Sequence, residues 1–331
     1  MGGVVVEGIA WQWIFWLNVP IGLALIPLAN RALAESHGPD RQLDLSGLAL
    51  AGAGLFGLTF GIIRSEALGW ASATVLLSIA IGLGLLAAFV IHERRTEAPM
   101  LPMRLFRSRG FSATNGLSFA MFFGIFGTIF LISQFFQAAQ GYGPFEAGAR
   151  TLPWTGIEML IAPIAGVLAA RVGTRPPMAV GLALQAIGLG WLAIVLAPDT
   201  PFVELIGPFA LSGIGMALVL PTAAEAVLAS VRAEEAGKAS GATNAVREVG
   251  GVMGVAVLAT VFAANGGYES PQAFTDGVVA ALPIAIVVLA VGAVLALLTP
   301  GRGAVATPAD ATGRGDGALD QRRAEPARAR A

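Results

Sequence analysis

Glu158 is the only acidic residue of a largely apolar segment, TLPWTGIEMLIAPIAG. In a helix, spacings of three, four and seven residues place the following on its face: Thr151, Trp154, Thr155 and Ala162. Such a semi-polar face is expected of a helix that lines a cavity. A carboxyl group there could exchange protons or hold a cationic substrate. The alternative is a carboxyl that stays protonated or hydrogen-bonds to a neighbouring helix.

Asn244, Arg247 and Glu248 form a second polar group, in the segment SGATNAVREVGGVMG. Asn244 and Glu248 are i,i+4 neighbours, as are Thr243 and Arg247, whereas the adjacent Arg247 and Glu248 point in different directions. These residues could act at an inner gate or in substrate passage. Alternatively, Arg247 extends its long side chain towards the membrane interface.

Gln134 and Gln137 end another apolar run, FLISQFFQ. A spacing of three residues puts both amides on one helical face. They could bind polar groups of a substrate, although a position at the membrane interface explains them equally well.

Several kinds of chemistry are not expected. The chain has no cysteine, which excludes disulfides, thiolate metal sites and cysteine nucleophiles. The two histidines, His37 and His92, are expected in loops, so neither a metal site nor a Ser/His pair is expected at membrane depth. The sequence lacks a GxxxxGK[ST] loop for ATP, and its basic tail lacks aromatic residues for stacking on bases. We therefore predict no metal, no cofactor, no nucleic-acid partner and no enzymatic activity; an intramembrane enzyme is the least favoured class.

The elements that must position these residues are membrane-spanning helices. The chain is 56% hydrophobic and 12% charged, whereas a soluble protein carries about 25% charged residues. A crossing helix needs roughly 20 apolar residues, and nine runs meet this requirement: 12–33, 46–64, 70–92, 111–137, 147–170, 174–197, 202–228, 240–264 and 277–299. The predicted class is an all-α integral membrane protein with the lipid bilayer as its solvent.

Basic residues predict the orientation. Most of the 20 lysines and arginines lie in loops that follow odd-numbered runs, or in the tail. By the positive-inside rule, these loops and the C-terminus are cytoplasmic in a multi-pass protein of the cell membrane. Trp11, Trp13 and Trp16 then lie at the outer interface, where indole rings anchor helices. Stacking on a ligand is the alternative for these rings.

The stretch WQWIFWLNVPIG (11–22) resembles the WRWIFxxNVPIG signature of the fourteen-spanner drug:proton antiporters, in the major facilitator superfamily. Three later segments resemble the same family in the same order: LDLSGLAL, GYGPFEAGARTLP and EEAGKASGATNAVREVGGVMGVAV. The resemblance covers residues 2–299. It implies a major facilitator-type helical bundle that exports drugs or other small molecules in exchange for protons.

GVLAARVGTR (166–175) resembles the inner-loop motif of the superfamily, GxLaDRxGrR. The matching residues are Gly166, Leu168, Arg171, Gly173 and Arg175. Ala170 replaces the aspartate of the motif. The segment is therefore either a gating loop without its usual charge relay or a tight turn with positive-inside arginines.

The resemblance also predicts four regions: the last helix of an N-terminal bundle (1–33), an extra helix pair with cytoplasmic linkers (34–110), a C-terminal six-helix bundle (111–299), and a disordered cytoplasmic tail (300–331). Gly2 and Gly3 resemble the end of the fifth-helix motif, GxxxGPxxGG, so five helices are expected to be absent. Alternating access requires two bundles around a midplane site. The chain is therefore expected to be a truncated transporter, or else a non-transporting fragment or a subunit that needs a separate N-terminal half.

Overall fold

A computed structural model describes residues 8, 12–32, 44–96 and 99–299, and every regular element in these residues is helical. The helices are α1 (Trp13–Trp16), α2 (Asn18–Ala32), α3 (Leu45–Leu68), α4 (Ala73–Arg95), α5 (Arg109–Gln134), α6 (Pro144–Arg150), α7 (Leu152–Val172), α8 (Arg175–Val195), α9 (Phe202–Ala229), α10 (Ala236–Asn265) and α11 (Pro271–Leu297). Two 3₁₀ turns (Met103–Arg107 and Ala233–Glu235) and one π turn (Phe135–Ala139) adjoin them.

Nine helical segments of the described residues are long and apolar enough to cross a membrane, with α1 and α2 counted as one segment. The predicted class and number of spans are therefore confirmed. Some bounds differ: α3 continues to Leu68 and α10 begins at Ala236. Backbone hydrogen bonding continues into polar residues at the helix ends, whereas hydropathy marks only the apolar part of each span.

Six helices, α5 and α7 to α11, pack into one bundle around a shared core. Helix α5 contacts α9, α10 and α11; α8 contacts α9 and α11; and α7 packs mainly on α9. The core includes four fully buried phenylalanines: Phe135, Phe136, Phe209 and Phe274. Lipid gives helices no hydrophobic drive to associate, so close packing of these side chains is what holds the bundle together.

Glycines set the closest helix contacts. A Cβ on Gly250 or Gly254 of α10 would overlap backbone atoms of Phe119 or Phe123 on α5. A Cβ on Gly213 of α9 would likewise overlap the backbone oxygen of Trp154 on α7. Small residues at these positions let the helix backbones approach directly.

The hairpin formed by α3 and α4 packs beside this bundle, with α3 in contact with α10. Helices α1 and α2 differ from the rest, because none of the residues 12–31 is buried. Trp13 and Trp16 are 51% and 63% exposed. Trp11 lies outside the described residues, as does the predicted tail from residue 300.

Asp44 and His92 connect the start of α3 with the last turn of α4. The Asp44 carboxylate caps α3 by accepting from the Gly47 N–H at 2.7 Å, and its two oxygens lie 3.0 and 3.1 Å from His92 Nε2. The expectation of a loop position for His92 is wrong, because α4 continues through this residue to Arg95. The helix outlasts its apolar run since basic residues are favourable in the last turn. His37 lies outside the described residues.

Asp44→Asn is expected to lower the melting temperature (Tm) of the detergent-solubilised protein at pH 7. Asparagine still caps a helix. The substitution therefore removes only the negative charge that Asp44 places beside His92. The Gly47 N–H, followed by His92, lowers the pKa of Asp44 below its ordinary value of 3.8. A lowered pKa stabilises the fold above the pKa of the unfolded chain, and this stability is lost as the pH falls through the folded pKa. The difference in Tm between the wild type and Asp44→Asn should therefore shrink below about pH 4. A Tm difference that stays constant from pH 7 to pH 3 would contradict this role of the Asp44 charge.

Candidate functional site

Glu158 lies half-buried in the first third of α7, six residues after the helix begins at Leu152. Its carboxylate makes no hydrogen bond or ion pair with another described residue, whereas Met159 and Leu160 beside it are 80% and 72% exposed. Because α7 packs mainly on α9, the rest of its surface is largely uncovered in the described structure. Glu158 is therefore a carboxyl group at the edge of a helix contact, next to an open surface.

The predicted face around Glu158 is divided by the packing of α7. Trp154 is 2% exposed and packs against Phe209 of α9, with ring centroids 5.8 Å apart. Its indole nitrogen is enclosed and has no hydrogen-bond partner among the described residues. Thr155, one residue further on, is exposed. Trp154 thus belongs to the α7–α9 contact, and Thr155 is the neighbour that shares open surface with Glu158.

Arg247 lies half-buried on α10 and faces α5. Its guanidinium carbon is 5.5 Å from the centre of the Phe122 ring, and Phe122 stacks on Phe126 at 5.5 Å. Two of its nitrogens, Nε and Nη2, are enclosed and have no hydrogen-bond partner in the described part of the chain. Burying a charge without a partner is costly, so this side chain is suited to receive an anionic or carbonyl group.

The other polar residues of this segment do not form the hydrogen-bonded i,i+4 pairs that their spacing permits. Asn244 and Glu248 are both exposed, and they are not hydrogen-bonded to each other. Thr243 is buried and donates to the Ala239 carbonyl at 3.0 Å instead of contacting Arg247. Arg247 is therefore the one of these polar side chains that is both charged and partly enclosed by the bundle.

Gln134 and Gln137 have different partners at the opposite end of α5. Gln134 accepts from the Tyr268 hydroxyl at 2.6 Å, whereas Gln137 donates to the Ser133 carbonyl at 3.0 Å. The π turn Phe135–Ala139 begins between them and widens the helix. The two amides therefore have separate hydrogen-bond partners, and they flank the start of a π turn, an element that is frequent at functional sites.

The inner-loop motif forms the tight turn between α7 and α8. Gly173 has a φ of 87°, a left-handed conformation that favours glycine, and its N–H bonds to the Ala169 carbonyl. Arg171 and Arg175 are exposed and make no ion pair with described residues, and Gly166 has open space around it. The positive φ of the turn explains the glycine of the motif. The two arginines of the motif lie exposed on the surface.

Two polar groups outside the predicted site residues have defined surroundings. Arg150 of α6 forms an ion pair with Glu146 at 2.7 Å and lies 3.6 Å from the Tyr142 ring centre. Gln185 of α8 is 1% exposed, and neither atom of its amide has a partner in the described ranges. A glutamine inside the apolar run GLALQAIGLG was the available signal for Gln185. Arg150 looked like an ordinary loop charge because its partners depend on how the turn folds.

One helix, α9, packs against both of the helices that carry the charged candidates Glu158 and Arg247. Helix α9 contacts α7, which carries Glu158, and also α5 and α10, whose contact encloses part of Arg247. The described residues contain no group of three or more His, Cys, Asp or Glu side chains that could hold a metal ion. The arrangement can offer a carboxyl group and a guanidinium from two helices packed on a common third.

Known drug-resistance proteins are similar in sequence to this chain. The tetracenomycin C resistance and export protein of Streptomyces glaucescens is 31% identical over 83% of the chain and 52% of its own length. The multidrug resistance protein Stp of Mycobacterium tuberculosis is 31% identical over 80% of the chain and 49% of its own length. The methylenomycin A resistance protein of Streptomyces coelicolor is 27% identical over 83% and 58%. The chain spans about half the length of the curated relatives it matches.

The family comparison agrees with the nine-span helical fold. The family model described as Major Facilitator Superfamily matches residues 1–255 and, in a second overlapping match, residues 116–315. These matches cover most of the chain, including the bundle that carries Glu158 and Arg247. The chain therefore belongs to the Major Facilitator Superfamily.

Proposed function

We propose that this chain is part of a secondary active transporter, not an enzyme, which exports drugs or other small molecules from the cell in exchange for protons. The observation that carries the proposal is Glu158, a half-buried carboxyl in an apolar span with no bonded partner in the described chain. Ionisable residues at membrane depth mark substrate or proton pathways. The names of the three relatives support export of small molecules.

The candidate residues take different roles in this proposal. Glu158 exchanges a proton or binds a cationic group, with Thr155 as its polar neighbour on the open surface. Arg247, Asn244 and Glu248 line substrate passage towards the inner gate. Trp154 positions α7 against α9, since its ring is buried between them.

Residues at the two membrane surfaces complete the proposed transport cycle. Gln134 and Gln137 contact polar groups of the substrate at the outer end. The turn of Gly166, Arg171, Gly173 and Arg175 controls movement of α7 and α8 at the inner end. The basic residues at that end, together with the positive-inside rule, support a cytoplasmic C-terminus in the cell membrane.

The proposed arrangement needs a second bundle. Residues 111–299 would form the C-terminal bundle, residues 34–110 the extra helix pair, and residues 1–33 the last helix of an N-terminal bundle. Two observations support a partner surface: none of the residues 12–31 is buried, and α7 is largely uncovered outside its contact with α9. The same observations favour the alternative function, a subunit or fragment that does not transport by itself.

The test is dye efflux in bacteria that lack their own exporters. We would compare the chain alone with a chain that is joined to the part of the Streptomyces glaucescens relative that it does not match. The completed protein should lower ethidium accumulation, and a proton uncoupler should abolish this effect. Efflux by the chain alone would refute the need for a second bundle. A completed protein that reaches the membrane but exports no dye, while the intact relative does, would refute the transport proposal for this substrate class.

A further inference from the structure

A cleft of about 620 Å³ separates the α3–α4 hairpin from the main bundle. Leu55 of α3 and Leu86 and Phe89 of α4 form one wall. Phe119 of α5 and Val246 of α10 belong to the opposite wall. The volume falls in the range of sites that enclose a small molecule, and the walls offer it almost only apolar contacts.

The cleft is open on the side formed by α10. Gly241 and Ala245 of α10, which line it, are exposed. Leu101 and Phe106, from the linker between α4 and α5, also line it. An apolar cleft between spanning helices, open on its side, faces the acyl chains of the bilayer rather than water.

Among the described residues that line this cleft, Lys238 is the only one with a charged side chain. Its ammonium donates to the Pro99 carbonyl at 2.7 Å, which holds the charge beside the linker. The cleft therefore combines a long apolar interior with a positive charge at one end.

Further positive charge surrounds that end. Arg104 and Arg232 both form ion pairs with Glu235, so two guanidinium groups share one carboxylate. The linker from residue 99 to Arg109 holds three arginines and no acidic residue, and two of these arginines, Arg104 and Arg107, flank the cleft-lining Phe106. The Glu93 carboxylate also lies at this end and accepts from the Leu101 N–H at 3.0 Å. Two carboxylates, Glu93 and Glu235, therefore offset only part of the positive charge, and the remainder is complementary to an anion at the membrane surface.

We propose that the cleft is a binding site for one anionic phospholipid of the inner leaflet. One acyl chain lies between the hairpin and α10, and the headgroup phosphate lies against Lys238 and Arg104. Basic pockets between spanning helices on the cytoplasmic side bind anionic headgroups in this way. A neutral lipophilic molecule would use the apolar walls but would make no contact that depends on the charge of Lys238 and Arg104. The site is separate from Glu158 and does not depend on the proposed transport.

The experiment measures lipid retained by the purified full-length chain. The protein is equilibrated with mixed micelles of phosphatidylglycerol or phosphatidylcholine, and bound lipid is counted by native mass spectrometry. The wild type should retain one phosphatidylglycerol in preference to phosphatidylcholine. Lys238→Gln should weaken its retention about fivefold, the effect of one basic residue near a lipid surface. Ala245→Phe should abolish retention by filling the cleft.

Two matched variants separate the site from general effects. Arg31→Gln removes one charge from exposed α2 at the same predicted membrane surface, and Val180→Phe enlarges a 51% exposed residue on α8. Both should retain phosphatidylglycerol as the wild type does. Equal retention of the two lipids, or unchanged retention in Lys238→Gln, would overturn the anionic site. Loss in Ala245→Phe alone would also overturn it, in favour of a neutral lipophilic occupant. Melting curves of each variant confirm that it is folded.

Discussion

Glu158→Gln is expected to reduce proton-coupled dye efflux by the completed transporter to the background level. Glutamine keeps the size and hydrogen-bonding ability of the side chain but cannot release a proton or carry a negative charge. Because no described residue bonds the Glu158 carboxylate, the loss would not arise from a broken structural contact. Initial efflux rates at several external pH values measure the effect.

Two comparisons make the Glu158→Gln result specific. Glu204→Gln changes an exposed glutamate in the first turn of α9 and should leave efflux unchanged. Membrane abundance of both variants, measured by a C-terminal tag, excludes a defect in insertion. If Glu158→Gln keeps both the wild-type rate and its pH dependence, Glu158 has no role in proton coupling.

Gly254→Ala is expected to destabilise the bundle by about 1–3 kcal/mol, the usual cost of overpacking. A Cβ at this position would overlap the backbone carbonyl of Phe123, which cannot rotate away as a side chain could. Helices α5 and α10 would have to separate along one of the most extensive contacts in the bundle. The Tm of the detergent-solubilised protein should therefore fall by several degrees.

Gly190→Ala is the matched control for the packing prediction. Gly190 lies inside α8, but a Cβ there would meet no atom within 4 Å. Alanine is the better helix former by up to about 1 kcal/mol, so this variant should melt at the wild-type temperature or slightly above it. If both variants shift the Tm in the same direction by the same amount, the shift reflects helix propensity and not the contact with Phe123.

The nine spans could be predicted from the sequence because membrane insertion depends on each segment separately. A run of roughly 20 apolar residues must cross as a helix, since the hydrocarbon offers no other partner to its backbone. The same local rule identified Glu158 and Arg247 as charges inside apolar runs. Hydropathy alone could not give the ends of α3 and α10, because the helices continue into polar residues beyond the apolar runs.

Contacts between segments that are distant in the sequence could be seen only in the tertiary structure. Trp154 and Glu158 share a helical face by spacing, but contact with α9 buries the first and leaves the second at an edge. The chain contains 43 glycines, and only the α5–α10 contact distinguishes Gly254 from Gly190. His92 and Asp44 are 48 residues apart, so their pairing required the hairpin to fold.

The sequence by itself determined which segments are apolar enough to cross the membrane, where the positive charges lie along the chain, and which ionisable residues interrupt apolar runs. These properties follow from the transfer of individual side chains between water and lipid. Only the tertiary structure decided which faces meet, and therefore which side chains are enclosed, such as Trp154, and which line the cleft at Lys238. Contacts between helices depend on the joint shape of surfaces distant in the chain, and no single segment encodes that shape.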